Sequence, residues 1–165
     1  MKKEVRIKIS EYCLAPESEI IKSYGLGSCI GLALWDPKKK IGALAHILLP
    51  SSRNSRPRAG SARYASSAVS LMLEEMIKAG CRRDRLVAKV AGGANMFPAR
   101  FNPAADGPGL NIGKRNIQAV RRALARKKIP IAGQEVGGEI GRTIEFNPQT
   151  GELRVYKSTG EVKII

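Results

Sequence analysis

Two apolar runs of strand length, separated by one short charged turn, constrain the fold of this chain more than any other feature. The first run covers residues 30–35 (Ile-Gly-Leu-Ala-Leu-Trp), and the second covers residues 41–49 and stops at Pro50. The turn between them begins with Asp36-Pro37 and continues with three lysines, which need contact with water. Apolar runs of this length that are bounded by turn residues are typical of buried strands. The sequence therefore predicts a buried β-hairpin.

The other periodic segments predict two helices and further strands of one α+β domain. Apolar residues recur at helical spacing between Tyr64 and Lys78, and Gly80 is placed to end that helix. Asn111 is expected to cap a second helix, which ends before Pro130. The other predicted strands are residues 1–9, 18–23, 85–91, 129–136, 142–147 and 152–157. About seven strands joined by hairpins favour antiparallel or mixed sheets with helices on a face, and residues 1–165 are predicted to form a single domain.

Composition narrows the class of protein. The chain has 29 Lys+Arg against 14 Asp+Glu, a formal net charge of +15, so its surface attracts an acidic partner such as nucleic acid, anionic lipid or an acidic protein. Three widely spaced cysteines and one histidine argue against a disulfide framework or a metal site. The alternating N-terminus does not resemble a signal peptide, and no apolar run approaches the ~20 residues that span a bilayer. We therefore expect a cytoplasmic protein without membrane insertion.

Cys29 directly follows a glycine-bearing segment, residues 24–28 (Tyr-Gly-Leu-Gly-Ser), at the point where the hairpin begins. Glycines permit a tight turn, and the backbone around Gly27 and Ser28 is a candidate oxyanion site, because free N–H groups there can bind a carbonyl oxygen. If the paired residue numbers of the hairpin sum to 75, His46 stands opposite Cys29 on one face. A neighbouring imidazole can take the proton of a thiol whose pKa is otherwise about 8.5. The pair thus indicates a nucleophile and its base, against the plainer reading of a core cysteine and a structural histidine.

The remaining cysteines and the basic segments have plainer interpretations. Cys13 and Cys81 are predicted to be ordinary core residues, because neither has a glycine turn beside it or a histidine in local register. The loop of residues 51–63 carries Arg53, Arg56, Arg58 and Arg63. The second helix and its flank carry Lys114, Arg115, Arg121, Arg122, Arg126, Lys127 and Lys128. This basic stripe makes a nucleic-acid-binding module an alternative function, although the aromatic content of 5% and the lack of a recognised motif argue against nucleic acid as a partner.

Several longer motifs resemble those of the CheD family, in the same order and over nearly the whole chain. They are residues 26–29 (Leu-Gly-Ser-Cys), 36–37 (Asp-Pro), 41–42 (Ile-Gly), 45–50 (Ala-His-Ile-Leu-Leu-Pro), 91–97 (Ala-Gly-Gly-Ala-Asn-Met-Phe), 111–116 (Asn-Ile-Gly-Lys-Arg-Asn), 137–138 (Gly-Gly) and 141–142 (Gly-Arg). The resemblance implies a chemotaxis enzyme that converts selected receptor glutamines to glutamates without any cofactor. It also implies a mixed or antiparallel β-sandwich flanked by helices, similar to the catalytic domain of the cytotoxic necrotizing factor toxins.

The resemblance further implies roles for three side chains. Cys29 corresponds to the nucleophile of the family and His46 to its base, while Ser23 stands where the family has a threonine, six residues before the cysteine. Serine keeps a hydroxyl and a main-chain carbonyl, either of which can orient the imidazole. The implied substrates are methyl-accepting chemotaxis receptors. Because CheD proteins are also partners of CheC-type phosphatases, a mainly non-catalytic binding role is a further alternative. Separately, the segment of residues 98–109 is longer than the corresponding link in the family.

Overall fold

The computed structural model describes residues 1–51, 61–98 and 111–165, and this part of the chain contains ten strands and two α-helices. The strands are β1 (Lys3–Ile7), β2 (Tyr12–Ala15), β3 (Glu19–Leu26), β4 (Ile30–Asp36), β5 (Ile41–Ile47), β6 (Val87–Gly92), β7 (Ile131–Val136), β8 (Arg142–Asn147), β9 (Glu152–Lys157) and β10 (Val162–Ile164). The helices are α1 (Ala65–Lys78) and α2 (Ile112–Arg126). Neither of these helices is long and apolar enough to cross a membrane.

The strands form two mixed sheets of five strands each. The first sheet has the order β1-β3-β8-β9-β10 and the second has the order β2-β5-β4-β6-β7. Each sheet contains one parallel pair, β1 with β3 and β6 with β7, and its other pairs are antiparallel. Helix α1 packs against β2 and β5, and α2 packs against β4 and β6. The layers therefore run from the first sheet through the second sheet to the helices, which confirms the predicted α+β sandwich.

The predicted hairpin is formed by β4 and β5 and lies in the middle layer. Ile30, Leu32 and Leu34 of β4 belong to the core beneath the helices. Ala33 of β4 and Leu44 of β5 belong instead to the core between the two sheets. Because neither face of the hairpin meets water, both strands need an unbroken apolar run, and this burial explains the sequence feature that predicted them.

The pairing of this hairpin differs from the predicted one by two residues. His46 stands opposite Gly31, not opposite Cys29, so the paired numbers sum to 77. A shift of two residues keeps the same side chains on each face, whereas a shift of one would exchange the faces. A Cβ atom at Gly31 would overlap the side chain of Ile144 in the first sheet. Close packing between the sheets therefore requires glycine opposite the histidine.

Other predicted elements agree with the structure within a few residues. Gly80 follows α1 with a φ of 88°, and the Asn111 side chain accepts a hydrogen bond of 3.0 Å from the backbone of Lys114 at the start of α2. The short strands β2 and β10 were not predicted. The second strand of the hairpin ends at Ile47, before the predicted Leu49, and the chain then pairs with the backbone of Arg63.

Asp36 ties the hairpin turn to the segment that follows α1. Its buried carboxylate accepts hydrogen bonds from the backbone N–H groups of Lys38, Lys39 and Arg82. The Arg85 guanidinium forms an ion pair with it at 2.9 Å. Burial alone would raise the pKa of Asp36, but Arg85 and the three N–H donors outweigh this effect and lower the pKa from 3.8 to about 2.

The Asp36→Asn variant should lower the free energy of unfolding at pH 7 by about 2 kcal/mol, the value of a pKa shift of nearly two units. The unfolded carboxyl takes up a proton near pH 4, whereas the folded one does so only near pH 2. The stabilisation is therefore complete above pH 4 and is lost as the pH falls from about 4 to 2. Urea unfolding at several pH values measures it, with the exposed Asp84→Asn as a control that should change little. Equal losses in the two variants would contradict the assignment.

Candidate active site

The loop from Gly27 to Cys29 joins β3 of the first sheet to β4 of the second, and its three carbonyl groups are all held. Gly27 O accepts a hydrogen bond from Ala94 N at 2.9 Å, Ser28 O accepts one from Asn116 Nδ2 at 2.8 Å, and Cys29 O accepts one from Gly93 N at 2.8 Å. In a planar trans peptide the N–H points away from the C=O of the preceding residue. The N–H groups of Ser28 and Cys29 therefore point away from these anchors. Among the described residues, no backbone hydrogen bond outside the helices and strands uses either group.

Glycines allow this loop its path. Gly25 has a φ of 70° at an irregularity in the pairing of β3 with β8, a backbone conformation that glycine adopts without strain. A Cβ atom on Gly27 would lie 3.1 Å from Cγ of Met96, which is tighter than an ordinary contact. The predicted tight turn is therefore present, and the Met96 side chain lies directly beside it.

His46 lies fully buried on the face of β5 that meets the first sheet. Its Nδ1 atom is 2.8 Å from the hydroxyl of Ser23, and that hydroxyl donates a hydrogen bond of 3.1 Å to the carbonyl of Ile7. A hydroxyl has only one hydrogen, so Ser23 must accept from His46, and the proton of a neutral ring then sits on Nδ1. This tautomer leaves a lone pair on Nε2, which is the state that a general base requires.

The Nε2 atom of His46 is buried and has no hydrogen-bond partner among the described residues. The thiol of Cys29 lies on the same face but is not bonded to it, in keeping with the shifted hairpin register. Burial lowers the pKa of His46 to about 4 and raises the pKa of the Cys29 thiol. The resting pair is therefore neutral, so the proton would move during attack and not beforehand. Catalytic hydrogen bonds often shorten only when substrate binds.

A pocket of about 140 Å³ opens beside this loop. Its lining consists of Ser28, Ala94, Asn95, Met96, Phe97, Ile112 and Gly113. Met96 and Phe97 are exposed although both are large and apolar, whereas Ala94 and Gly113 are buried. The pocket thus has a narrow inner part of small residues and an apolar rim. Such a shape suits one slender side chain that projects from a larger partner.

Two glycine pairs from the quoted motifs form turns close to the cysteine loop. Gly92 and Gly93 have φ values of 104° and 71°, and Gly137 and Gly138 have values of 80° and 68°. The two turns contact each other, because Gly137 N donates to Gly92 O at 2.9 Å. Nearly buried Arg142 donates to the carbonyl of Gly137 and pairs with Glu135. The glycines therefore serve backbone turns.

The other cysteines differ from the prediction in one respect. Cys81 is buried, but Cys13 is only partly buried and stands opposite Leu44, so it is a diagonal neighbour of His46 from the other side of β5. The thiol of Cys13 donates to the carbonyl of Leu14 at 3.3 Å, and the residue lies within a strand. It therefore differs from Cys29, which follows a glycine-bearing loop between two strands.

Several features fall outside this region or outside the described part of the chain. Arg53, Arg56 and Arg58 and most of residues 98–109 lie outside the described residues, while Arg63 is exposed and stacks over the Tyr64 ring. No group of three or more residues that could hold a metal ion occurs among the described residues. Asn116 belongs to a motif that the sequence analysis quoted, yet its contact with the cysteine loop was not foreseen, because nothing in the local sequence signals it.

The contact between Ser23 and His46 predicts how the reactivity of Cys29 depends on position 23. Ser23→Ala removes the acceptor at Nδ1, so alkylation of Cys29 by iodoacetamide at neutral pH should slow by roughly 3–10-fold, less than in His46→Ala. Ser23→Thr keeps the hydroxyl and should alkylate at the normal rate. Peptide mass spectrometry reads each cysteine separately, and Cys13 in the same sample is the internal control. An unchanged rate in Ser23→Ala would mean that the hydroxyl does not orient the ring.

Residues 48–157 match a protein family described as "CheD chemotactic sensory transduction". The matched range begins two residues after His46, so the cluster of Ser23, Cys29 and His46 lies outside it. Among solved structures, Neisseria meningitidis protein NMB0706 is similar with a TM-score of 0.46 at 10% identity, over 84% of this chain and 63% of that one. This structural likeness is too weak to support an assignment.

Curated proteins are similar to this chain over almost its full length. "Probable chemoreceptor glutamine deamidase CheD 2" of Geobacter metallireducens is 45% identical over 156 residues, which are 94% of each chain. "Chemoreceptor glutamine deamidase CheD" of Thermotoga maritima is 39% identical over 154 residues, 93% of this chain and 92% of the relative. "Probable chemoreceptor glutamine deamidase CheD" of Thermococcus kodakarensis is 38% identical over 160 residues, 96% of each chain. Identity at this level over nearly the whole length, together with the family match, shows that the chain belongs to the CheD family.

Proposed function

We propose that the protein hydrolyses the side-chain amides of glutamines in chemoreceptors to glutamate and ammonia. The observation that carries this proposal is the Ser23–His46 hydrogen bond, which leaves a free Nε2 lone pair on the sheet face that also carries Cys29. A thiol with a base on one side and backbone N–H donors in the preceding loop suits acyl transfer from an amide. The names of the relatives support glutamine as the amide. The chemistry requires no metal or organic cofactor.

In the proposed reaction, the Cys29 sulfur attacks the carboxamide carbon while His46 Nε2 takes the thiol proton. The N–H groups of Ser28 and Cys29 stabilise the oxyanion of the tetrahedral intermediate. His46 then returns the proton to the departing nitrogen, the C–N bond breaks, and ammonia leaves a thioester on Cys29. Water attacks this thioester as His46 takes one of its protons. The C–S bond then breaks and His46 returns that proton to the sulfur, which gives glutamate and regenerates the thiol. Ser23 keeps the imidazole ring oriented throughout.

The pocket supports a protein substrate. The pocket of about 140 Å³ has room for the side chain of one glutamine, and the exposed Met96 and Phe97 would contact the neighbouring surface of the receptor. The proposal places the enzyme in the cytoplasm, where its three free cysteines stay reduced. We also propose a CheC-type phosphatase as a partner, as the resemblance to the family implies.

The decisive test is the mass of a receptor cytoplasmic fragment after incubation with the protein. With the wild-type protein, the mass of the fragment should increase by ~1 Da for each glutamine converted. With Cys29→Ala its mass should not change, because the general base alone cannot replace the nucleophile. Cys13→Ser and Cys81→Ser are matched controls that should keep their activity. If Cys29→Ala deamidates at the normal rate, the assignment of Cys29 as the nucleophile is wrong. If it is inactive yet supports normal receptor signalling and binding, the adaptor role is favoured.

Much of the positive charge of the chain lies on the exposed face of α2. The helix has no acidic residue, and Lys114, Arg122 and Arg126 are exposed without an ion pair among the described residues. By contrast, cations of the first sheet such as Lys3 and Lys22 pair with glutamates. Since the N-terminal end of α2 lines the pocket, this face extends from the proposed site and suits an acidic receptor segment.

The double variant Arg122→Glu/Arg126→Glu should therefore flatten the salt dependence of kcat/KM on a receptor fragment. Wild-type kcat/KM should fall steeply between about 50 and 500 mM salt, because exposed charges are screened beyond ~10 Å at 0.1 M. Lys38→Glu/Lys163→Glu makes the same charge change at exposed positions away from α2 and should keep the wild-type slope. Equal slopes in all three proteins would exclude steering by α2. Salt-dependent retention on DNA that α2 variants abolish, with unchanged kcat/KM, would instead favour the nucleic-acid alternative.

A further inference from the structure

One buried amide of α2 joins the loop that carries Cys29 to the segment that directly follows the strand of His46. The Asn116 side chain is fully buried, and its Nδ2 group donates to Ser28 O at 2.8 Å and to Leu48 O at 3.0 Å. Ser28 directly precedes Cys29, and Leu48 follows His46 by two residues. A single side chain from the helix layer thus links the end of β5 to the loop that enters β4.

These two contacts fix which way round the amide must lie. Both partners of Asn116 are carbonyl oxygens, so only its NH₂ group can face them, and the reverse orientation would set oxygen against oxygen. The Oδ1 atom is consequently buried without a hydrogen-bond partner among the described residues. A buried acceptor without a partner destabilises the fold. The orientation of the Asn116 amide is therefore set by its two contacts with carbonyl oxygens.

The first turn of α2 is held close to the loop by packing. A Cβ atom on buried Gly113 would overlap the carbonyl oxygens of Gly93 and Ala94. The N–H groups of these same two residues hold the carbonyls of Cys29 and Gly27. The backbone of α2, the 93–94 turn and the cysteine loop therefore form one tightly packed unit, in which Asn116 has little freedom to move.

We propose that Asn116 is a positioning residue, which orients the N–H of Cys29 toward the oxyanion of the reaction. The C=O of Ser28 and the N–H of Cys29 belong to one planar peptide and point in opposite directions. By holding that C=O, Asn116 turns the N–H away from the helix layer. This role rests on the proposed amide hydrolysis, because only acyl transfer develops an oxyanion that needs the donor.

The role has a signature that a merely structural role lacks. Alkylation of Cys29 by iodoacetamide needs the nucleophile and its base but forms no oxyanion, whereas deamidation needs all three. Asn116→Leu keeps the size of the side chain and removes both donors. We expect its kcat for receptor deamidation to fall by roughly 10–100-fold with little change in KM, less than the 10²–10³ of a deleted oxyanion donor. The alkylation rate of Cys29 should stay within about twofold of wild type.

Two further variants keep the test independent of folding. Ala125→Gly lowers helix propensity at an exposed position in the last turn of α2, away from the pocket, and so destabilises the same helix without touching the loop. It should lower Tm and leave kcat unchanged. Asn116→Ser keeps one donor and should have a kcat between those of the wild type and Asn116→Leu. If circular dichroism shows that Asn116→Leu does not fold, Asn116→Ser replaces it in the comparison with the wild type.

The outcomes separate this inference from the proposed function. An active wild type with unchanged kcat in Asn116→Leu and Asn116→Ser overturns the positioning role alone. Parallel losses of deamidation and alkylation also overturn it, because the whole site has then collapsed. A wild type that alkylates but never deamidates a receptor fragment overturns the proposed function and this role with it.

Discussion

The structure depends on the burial of one hairpin on both of its faces. Strands β4 and β5 lie between the first sheet and the helices, so a side chain on either strand must enter one of two cores. His46 is on the face that meets the first sheet, and there it encounters the hydroxyl of Ser23 from β3. The same burial lowers the pKa of the imidazole and raises that of the Cys29 thiol. The middle layer therefore provides both the contact that orients the imidazole and the low polarity that keeps the imidazole and the thiol neutral.

Local patterns were sufficient to predict most of the elements. Charged turn residues at Asp36 and the cap at Asn111 act through contacts within a few positions, and both were visible in the sequence. Short edge strands are harder, because β2 and β10 have only four and three residues, and β2 forms through pairing with the distant strand β5. The hairpin register was wrong by two residues for a similar reason. It depends on the fit of Gly31 against Ile144, which lies in another sheet.

The candidate site divides in the same way. Cys29 and His46 could be proposed from a glycine-bearing turn and a hairpin, and Ser23 from the resemblance to the CheD family, in which a threonine occupies that position. Asn116 could not, because its two contacts span 88 and 68 residues of sequence and an asparagine in a basic helix carries no local signal of its partners. The diagonal position of Cys13 beside His46 likewise emerges only from the pairing of β2 with β5. Residues that act through long-range contacts require the fold before they can be recognised.

Two buried side-chain atoms of the described chain lack a hydrogen-bond partner, and both belong to this region. His46 Nε2 lies on the side of the second sheet that meets the first sheet, and Asn116 Oδ1 comes from the helix layer on the opposite side. Unpaired buried polar atoms are rare in folded proteins, since each one loses its bonds to water without replacement. Their origins differ, because the imidazole lone pair is left free by the contact of Nδ1 with Ser23, and the amide oxygen is left free by the two carbonyls that its nitrogen serves. In both cases the hydrogen bonds at one end of a side chain leave the polar atom at its other end buried without a partner. This lowers the free energy of unfolding, at positions where the proposed chemistry needs the side chain to keep one orientation.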